Sequence, residues 1–398
     1  MMRRGRCPAL LAVLTLLAGP LAAQRVKMLV PLDSLIARAQ RDSMDAPSHY
    51  ELGIGYWVSR RFDLADQQLR RAIAIEPHLA EAYLALGYLP YAMREKLWDD
   101  EEKNKVPAEW LPKLEEASQF RRQAFLLNPL VDLKPLALMI PPASVLGLHG
   151  NAEAAYTWVM NGFGSFWDGQ YERAYSFFST IAQSGGEANR PRFASWFLWY
   201  EALAAAHARE YSRAEADLRL LLARADSMST LDGGAALGFS KANHYRYALG
   251  CVLDMEGKAP EAVSTLQEAL TNDAGLYMAH VRLALILDDQ HRPRSALEER
   301  RRAVAANPED ATLLFDLGEA LATAGEFAEA QGVLRQARTL NPQSVRALYV
   351  LGFVASRVGN SDEARDAYSH FLAIAPSRFA EQITEVKQRL AALPAAAP

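Results

Sequence analysis

Four blocks between Asn243 and Pro376 repeat at one fixed spacing, and this period constrains the chain more than any other feature. The pairs Leu249-Gly250, Leu283-Ala284, Leu317-Gly318 and Leu351-Gly352 follow one another at that step. Twelve residues after the second member of each pair stands Ala262, Ala296, Ala330 or Ala364. Seven further on are Ala269, Ala303, Ala337 and Phe371. Pro308, Pro342 and Pro376 close three of the blocks, and Ala274 takes that place in the first. A period of roughly 34 residues, with small side chains at set offsets and a closing proline, predicts stacked helical hairpins rather than one globular core. Glycine inside a helix costs about 1 kcal/mol relative to alanine. Its recurrence is therefore expected where two helices cross too closely for a side chain.

The same pattern recurs nearer the N-terminus. Leu52-Gly53, Tyr56, Ala65, Leu69, Ala72 and Pro77 make one full unit over residues 46–79. Tyr83, Leu86-Gly87, Tyr88, Ala117, Ala124 and Pro129 make a second over 80–131. Pro129 stands farther from Pro77 than one period allows, so this unit carries an insertion, around Met93 to Lys113. Repeat arrays place such insertions on one face, often the binding face. These residues and spacings resemble the tetratricopeptide repeat family. The resemblance implies an all-α fold, a right-handed superhelical solenoid of helix-turn-helix units whose first helices line a concave groove.

Two weaker units are expected at 155–188 and 191–224, with Trp158, Gly162, Ala174 and Phe178 in one and Leu198, Ala202, Ala214 and Leu218 in the other. Asp168-Gly169-Gln170 makes the turn of the first of these. In the second, Glu201 stands where the family prefers leucine. Between Leu130 and Gly150, Pro135, Pro141 and Pro142 break any long helix, but Leu136, Leu138, Met139 and Ile140 make that segment packed. Residues 24–225 thus form an irregular N-terminal array, 226–242 read as a linker or long loop, and 243–376 are the four regular repeats. A terminal helix over 377–393 carries Phe379, Ile383, Val386 and Leu390 on one face, as a cap requires. Residues 394–398 read as a disordered tail.

Residues 1–23 read as a targeting segment. Arg3, Arg4 and Arg6 precede an apolar run from Ala9 to Leu17, and Leu21-Ala22-Ala23 supplies small residues before Gln24. This is the pattern of a cleaved secretory signal. The run is short for a membrane anchor. Cleavage after Ala23 takes three arginines and no acid from a net charge of −4, leaving −7. Only Cys251 would then remain, so no internal disulfide is expected. The mature chain is expected to be periplasmic or extracellular, with no membrane span. Its acidity argues against a general nucleic-acid surface, which needs clustered Lys and Arg.

Placed on the family's groove, the expected partner-binding residues are Tyr50 and Trp57 in the first repeat, then Tyr88 and Tyr91 in the second. In the regular array they are Tyr247, Asp254, Asp288, Phe315, Glu319, Tyr349 and Phe353. Aromatic rings with polar tips suit a contact surface. The expected function is a protein-binding scaffold of the cell envelope that holds a peptide or helix of another protein, with no cofactor and no metal. Family members that grip a chaperone's C-terminal carboxylate carry lysine and asparagine on successive turns of the first helix. Here those places hold Tyr247 and Cys251, Val281 and Leu285, Phe315 and Glu319, or Tyr349 and Phe353, so that mode is absent. Asp288, Asp289 and His291 share a turn, but solvated polar turns are commonplace. No P-loop, His-Glu-x-x-His, Gly-x-Ser-x-Gly or dinucleotide fingerprint occurs. The competing reading is an enzyme, or an enzyme-associated unit, with a pocket in 93–190, where Trp98, Trp110, Trp158 and Trp167 cluster. It requires titratable groups to converge among those rings.

Overall fold

The computed structural model describes residues 30–94, 97, 105–139, 151–184, 191–227 and 242–394. The signal segment, the acidic run Asp99 to Glu102, Pro141, Pro142 and nearly all of the 226–242 linker lie outside them. Among the described residues there are nineteen α-helices and no strand. Helix α1 (Leu32–Arg41) precedes two hairpins, α2/α3 (Ala46–Val58, Phe62–Ile75) and α4/α5 (Ala80–Met93, Leu111–Leu127). A short helix α6 (Lys134–Met139) follows. Then come α7/α8 (Asn151–Trp167, Tyr171–Ser184), α9/α10 (Pro191–His207, Tyr211–Ser227) and α11/α12 (Ala242–Met255, Ala259–Asn272). The last hairpins are α13/α14 (Tyr277–Asp289, Pro293–Ala306), α15/α16 (Ala311–Thr323, Phe327–Leu340) and α17/α18 (Val345–Val358, Ser361–Ile374), before the final helix α19 (Ala380–Ala392). The helices pack chiefly on their neighbours in sequence, which is the connectivity of a solenoid.

The crossing inside each hairpin follows one rule. The glycine of the first helix receives the residue sixteen places later: a Cβ on Gly53 would meet Leu69, on Gly250 Leu266, on Gly318 Leu334 and on Gly352 Tyr368, all at 2.8 Å or closer. On Gly87 it would meet the Arg121 stem at 2.5 Å, which is the same place once the inserted residues are counted. Arg121 is 1% exposed, lies between the rings of Tyr88 and Tyr91, and donates from Nη1 to the Gly87 carbonyl at 2.6 Å. An arginine thus fills a leucine place, its stem packing and its head bonding.

The turns inside the hairpins also repeat. Gly257, His291, Gly325 and Gly359 recur at the period of the array and all have φ between 58° and 85°. Arg60, Gly169 and Arg209 take the same conformation in the N-terminal hairpins. On the outer side, exposed second helices are joined by ion pairs at a spacing of 28: Arg301 to Glu329 at 3.0 Å, and Arg335 to Glu363 at 2.6 Å. Arg70 to Glu116, at 2.8 Å, spans 46, which is the same spacing lengthened by the insertion.

Both ends are covered. Leu35 and Ala39 of α1 pack on Leu52, and Val386 of α19 packs with Leu348, Tyr368 and Phe371. Pro394, expected in a disordered tail, accepts a hydrogen bond from Arg365.

Two features depart from an open solenoid. First, α6 packs on α4 and reaches α2, the first helices of the two leading hairpins. Leu130, Val131, Leu133 and Leu136 are at most 6% exposed and join one core with Ile54, Trp57, Leu84, Tyr88 and Tyr91. The proline-broken segment therefore fills the inner face of the N-terminal hairpins.

Second, the edge that carries the turns between hairpins meets itself. Gln123 donates to the Tyr277 hydroxyl at 3.2 Å, and His78 Nε2 lies 2.7 Å from Asp310 Oδ2. Asn341 donates to the Ile75 carbonyl at 3.4 Å. Asp42 accepts from the Ser377 N–H at 2.8 Å and from its hydroxyl at 3.0 Å, and Arg378 pairs with Asp45 at 3.0 Å. One side of this seam runs backward from Gln123 to Asp42 while the other runs forward from Tyr277 to Arg378. The array closes on itself.

Candidate binding surface

The filled N-terminal face corrects part of the sequence expectation. Trp57, Tyr88 and Tyr91, expected to line an open groove, are 3%, 1% and 0% exposed beneath α6 and its flanks. Tyr50 is half-buried against the same core, and burial raises its phenol well above the ordinary value, with Glu81 and Asp132 adding to the shift. In the regular array Tyr247 and Phe315 are each 3% exposed. Their rings are wedged between successive hairpins, because an aromatic on the first helix is large enough to reach the neighbouring unit. Trp57, Tyr88, Tyr91, Tyr247 and Phe315 build the walls and do not present themselves to a partner.

The other groove residues remain accessible, and most are engaged by basic side chains. Asp254 pairs with Arg282 at 2.6 Å, Asp288 with Arg300 at 2.6 Å, and Glu319 with Arg346 at 3.6 Å. The Tyr349 hydroxyl donates to Glu385 at 2.6 Å, and Arg389 lies 4.9 Å over the Phe353 ring. Arg346 also covers Phe315 at 4.6 Å. Leu285 stands 45% exposed on the same face. The first helices α11, α13, α15 and α17 therefore carry acids paired with arginines, together with the Tyr349 and Phe353 rings on α17. Sequence reasoning found the acids and missed the arginines, which come from other helices: Arg282 and Arg346 from the first helix of the following hairpin, Arg300 from the second helix of the same hairpin, and Arg389 from the terminal helix.

Asp316 was also missed. It lies on α15 beside Glu319, with His78 of the opposite arm and Arg346 nearby, and burial pushes its carboxyl up to about 6. Of the polar residues at the turn after α13, His291 is the left-handed turn residue of its hairpin, and Asp288 is taken by Arg300. Cys251 is 5% exposed, and burial pushes its thiol up to about 12, with Asp254 adding and Arg282 opposing. A thiol held so is protonated at neutral pH, and the thiolate is the nucleophilic form.

Among the described residues, the tryptophans of 93–190 have separate surroundings. Trp110 is flanked by Arg94 and Lys113, Trp158 packs edge-on with Phe177, and Trp98 lies outside the described residues. Titratable groups converge instead at the foot of α6. Asp132 accepts from the Tyr171 hydroxyl at 3.0 Å and from the Lys134 N–H at 2.9 Å, and its Oδ2 lies 3.1 Å from Lys134 Nζ. Tyr171 stacks on His207, whose Nε2 reaches the Leu130 carbonyl at 3.0 Å. Burial holds His207 below its ordinary value. Every group in this set bonds the segment that fills the groove, or packs on one that does, so the cluster works as an anchor.

Among the described residues, a solenoid of eight helical hairpins, capped by a helix at each end and carrying charged and aromatic side chains on its first helices, defines the class of helical-repeat proteins. The hairpins are tetratricopeptide-like repeats. A family model described as anaphase-promoting complex, cyclosome, subunit 3 matches residues 289–371, and no curated protein matches the chain. Among solved structures it is similar to the C-terminal part of a TPR repeat-containing protein from Cytophaga hutchinsonii, with 13% identity over 58% of this chain and 85% of that one, at a TM-score of 0.46. It is similar to YrrB, described as a TPR protein with an unusual peptide-binding site, with 20% identity over 53% and 97% of the two chains, at a TM-score of 0.37. It is also similar to MamA, with 25% identity over 36% and 85%, at a TM-score of 0.32. No helix among the described residues is long and apolar enough to cross a membrane.

Proposed function

We propose that this protein is an exported scaffold of the cell envelope that holds a segment of another protein along the inner face of α11, α13, α15 and α17. The observation that carries this reading is the division of the inner surface. The N-terminal stretch is filled by α6, whereas Asp254, Leu285, Glu319, Arg346, Tyr349 and Phe353 remain accessible. A surface of paired charges and apolar side chains suits a partner segment that carries both signs of charge and a few large apolar anchors. Export rests on Arg3, Arg4 and Arg6, the apolar run behind them and the small residues before Gln24.

The test is capture from an envelope extract by the mature protein, followed by the variant Leu285→Asp with Arg346→Glu. Both side chains are exposed, at 45% for Leu285 and 60% for the Arg346 side chain, so the fold should be retained while capture is lost. Undiminished capture by a variant that melts like the parent removes this face as the binding site. A protein that fractionates with the cytoplasm and keeps residues 1–23 defeats the envelope assignment.

A further inference from the structure

We propose that the seam between the two ends of the array is a latch, a reversible polar closure that opens while the hairpins stay folded and swings the first two hairpins away from the N-terminus of α15. The contrast in chemistry carries the proposal. Successive hairpins are joined by a single apolar cluster that runs without a break from Ile54 to Ile286. Among the described residues the seam has two small apolar contacts, one where Met44, Ala46 and Ile75 meet Ile374, the other where Leu126 meets Tyr277 and Leu313. The rest of it is side-chain bonding at turns and helix ends: Asp42 to Ser377, Asp45 to Arg378, Asn341 to the Ile75 carbonyl, His78 to Asp310, Gln123 to Tyr277 and Arg71 to Gln343.

Such bonds exchange for water at little net cost, whereas apolar surface does not. Separating the edges leaves every intrahelical bond and every glycine crossing intact, because no described helix passes from one side of the seam to the other. Local opening free energies scale with the apolar contacts broken, so the seam parts before any hairpin does. Its position gives the opening a consequence. His78 sits against Asp310 at the N-terminus of α15 and faces Asp316 one turn and a half further along the inner surface. When the latch is open, Asp316 loses its neighbour His78 and becomes reachable from the side of that turn.

The mature protein and the variant Asp42→Ala, His78→Ala, Arg378→Ala are compared by small-angle X-ray scattering, with circular dichroism on the same samples. The parent should match the closed array, and the variant should gain in maximum dimension while its helical signal and the cooperativity of its melt are kept. The variant scattering like the parent overturns the latch, since those residues then do not hold the seam. Helix lost together with closure also overturns it, since the seam would then be part of the folding unit. A parent already extended in solution does the same. None of these outcomes depends on a partner, so the latch and the proposed binding face stand or fall separately.

Discussion

At the scale of single residues, the turn positions show how strictly the period is imposed. Gly257, Gly325 and Gly359 occupy left-handed backbone, and a Cβ on any of them would meet open space. Glycine is there for its dihedral freedom and not for room. His291 occupies the second of the four equivalent turns at φ 58° with an ordinary side chain, at a strain of about 1–2 kcal/mol that glycine would not carry. The variant His291→Gly should therefore gain about 1 kcal/mol once glycine's larger unfolded-state entropy is subtracted. The check is a urea midpoint that rises at unchanged slope; a fall in midpoint would show that the imidazole makes a contact worth more than the strain. The crossing glycines are the opposite case. At Gly318 the backbone is ordinary helix, and it is the Leu334 side chain, 2.6 Å from where a Cβ would lie, that forbids anything larger.

At the scale of elements, α6 decides which part of the concave face is available. It is too short to be stable alone, and it is held by Leu133 and Leu136 from the core side and by Asp132 from the polar side. Leu136→Asp puts a carboxylate where the exposed fraction is 1%. It should cost about 3 kcal/mol or more and release the segment. The expected readout is a lower melting temperature with a red shift of tryptophan emission as Trp57 is wetted; an unshifted emission maximum would place Trp57's shielding elsewhere. The hairpins were legible in the sequence because each contact inside them joins residues at fixed offsets, such as Gly53 with Leu69 or Gly250 with Leu266. The filling of the groove was not. Leu136 and Leu138 announced that their segment is packed, but a run without period does not say which surface it covers. For the same reason Trp57 and Tyr88 read as groove residues, since the family pattern fixes the face they are on and not what else of the chain lies against it.

At the scale of the whole molecule, closure couples shape to acidity. The Ser377 N–H, with its hydroxyl and Arg41, holds the Asp42 carboxyl below the usual range against the pull of burial. Burial alone would raise Asp310, but His78 and the N–H groups of Thr312 and Leu313 outweigh it, and this carboxyl too ends below its ordinary value. A depressed carboxylate contributes stability that is complete above its unfolded value, near pH 4, and is lost as pH falls through the lower folded value. The closed form should thus hold at neutral pH and give way in acid below about pH 4, seen as an increase in radius of gyration ahead of the loss of helical signal; simultaneous loss of both would mean that the hairpins are no more acid-resistant than the seam. No sequence offset marks these contacts, because Asp42, His78 and Ser377 are single residues far apart in the chain whose meeting depends on the summed curvature of every hairpin between them. That dependence bears on how such a protein changes over generations. Open solenoids lengthen and shorten by duplicating or dropping a unit, since each unit touches only its neighbours. Here one added or missing repeat would carry Ser377 past Asp42 and Asp310 past His78, so the copy number of the hairpins is locked by the ends they must bring together.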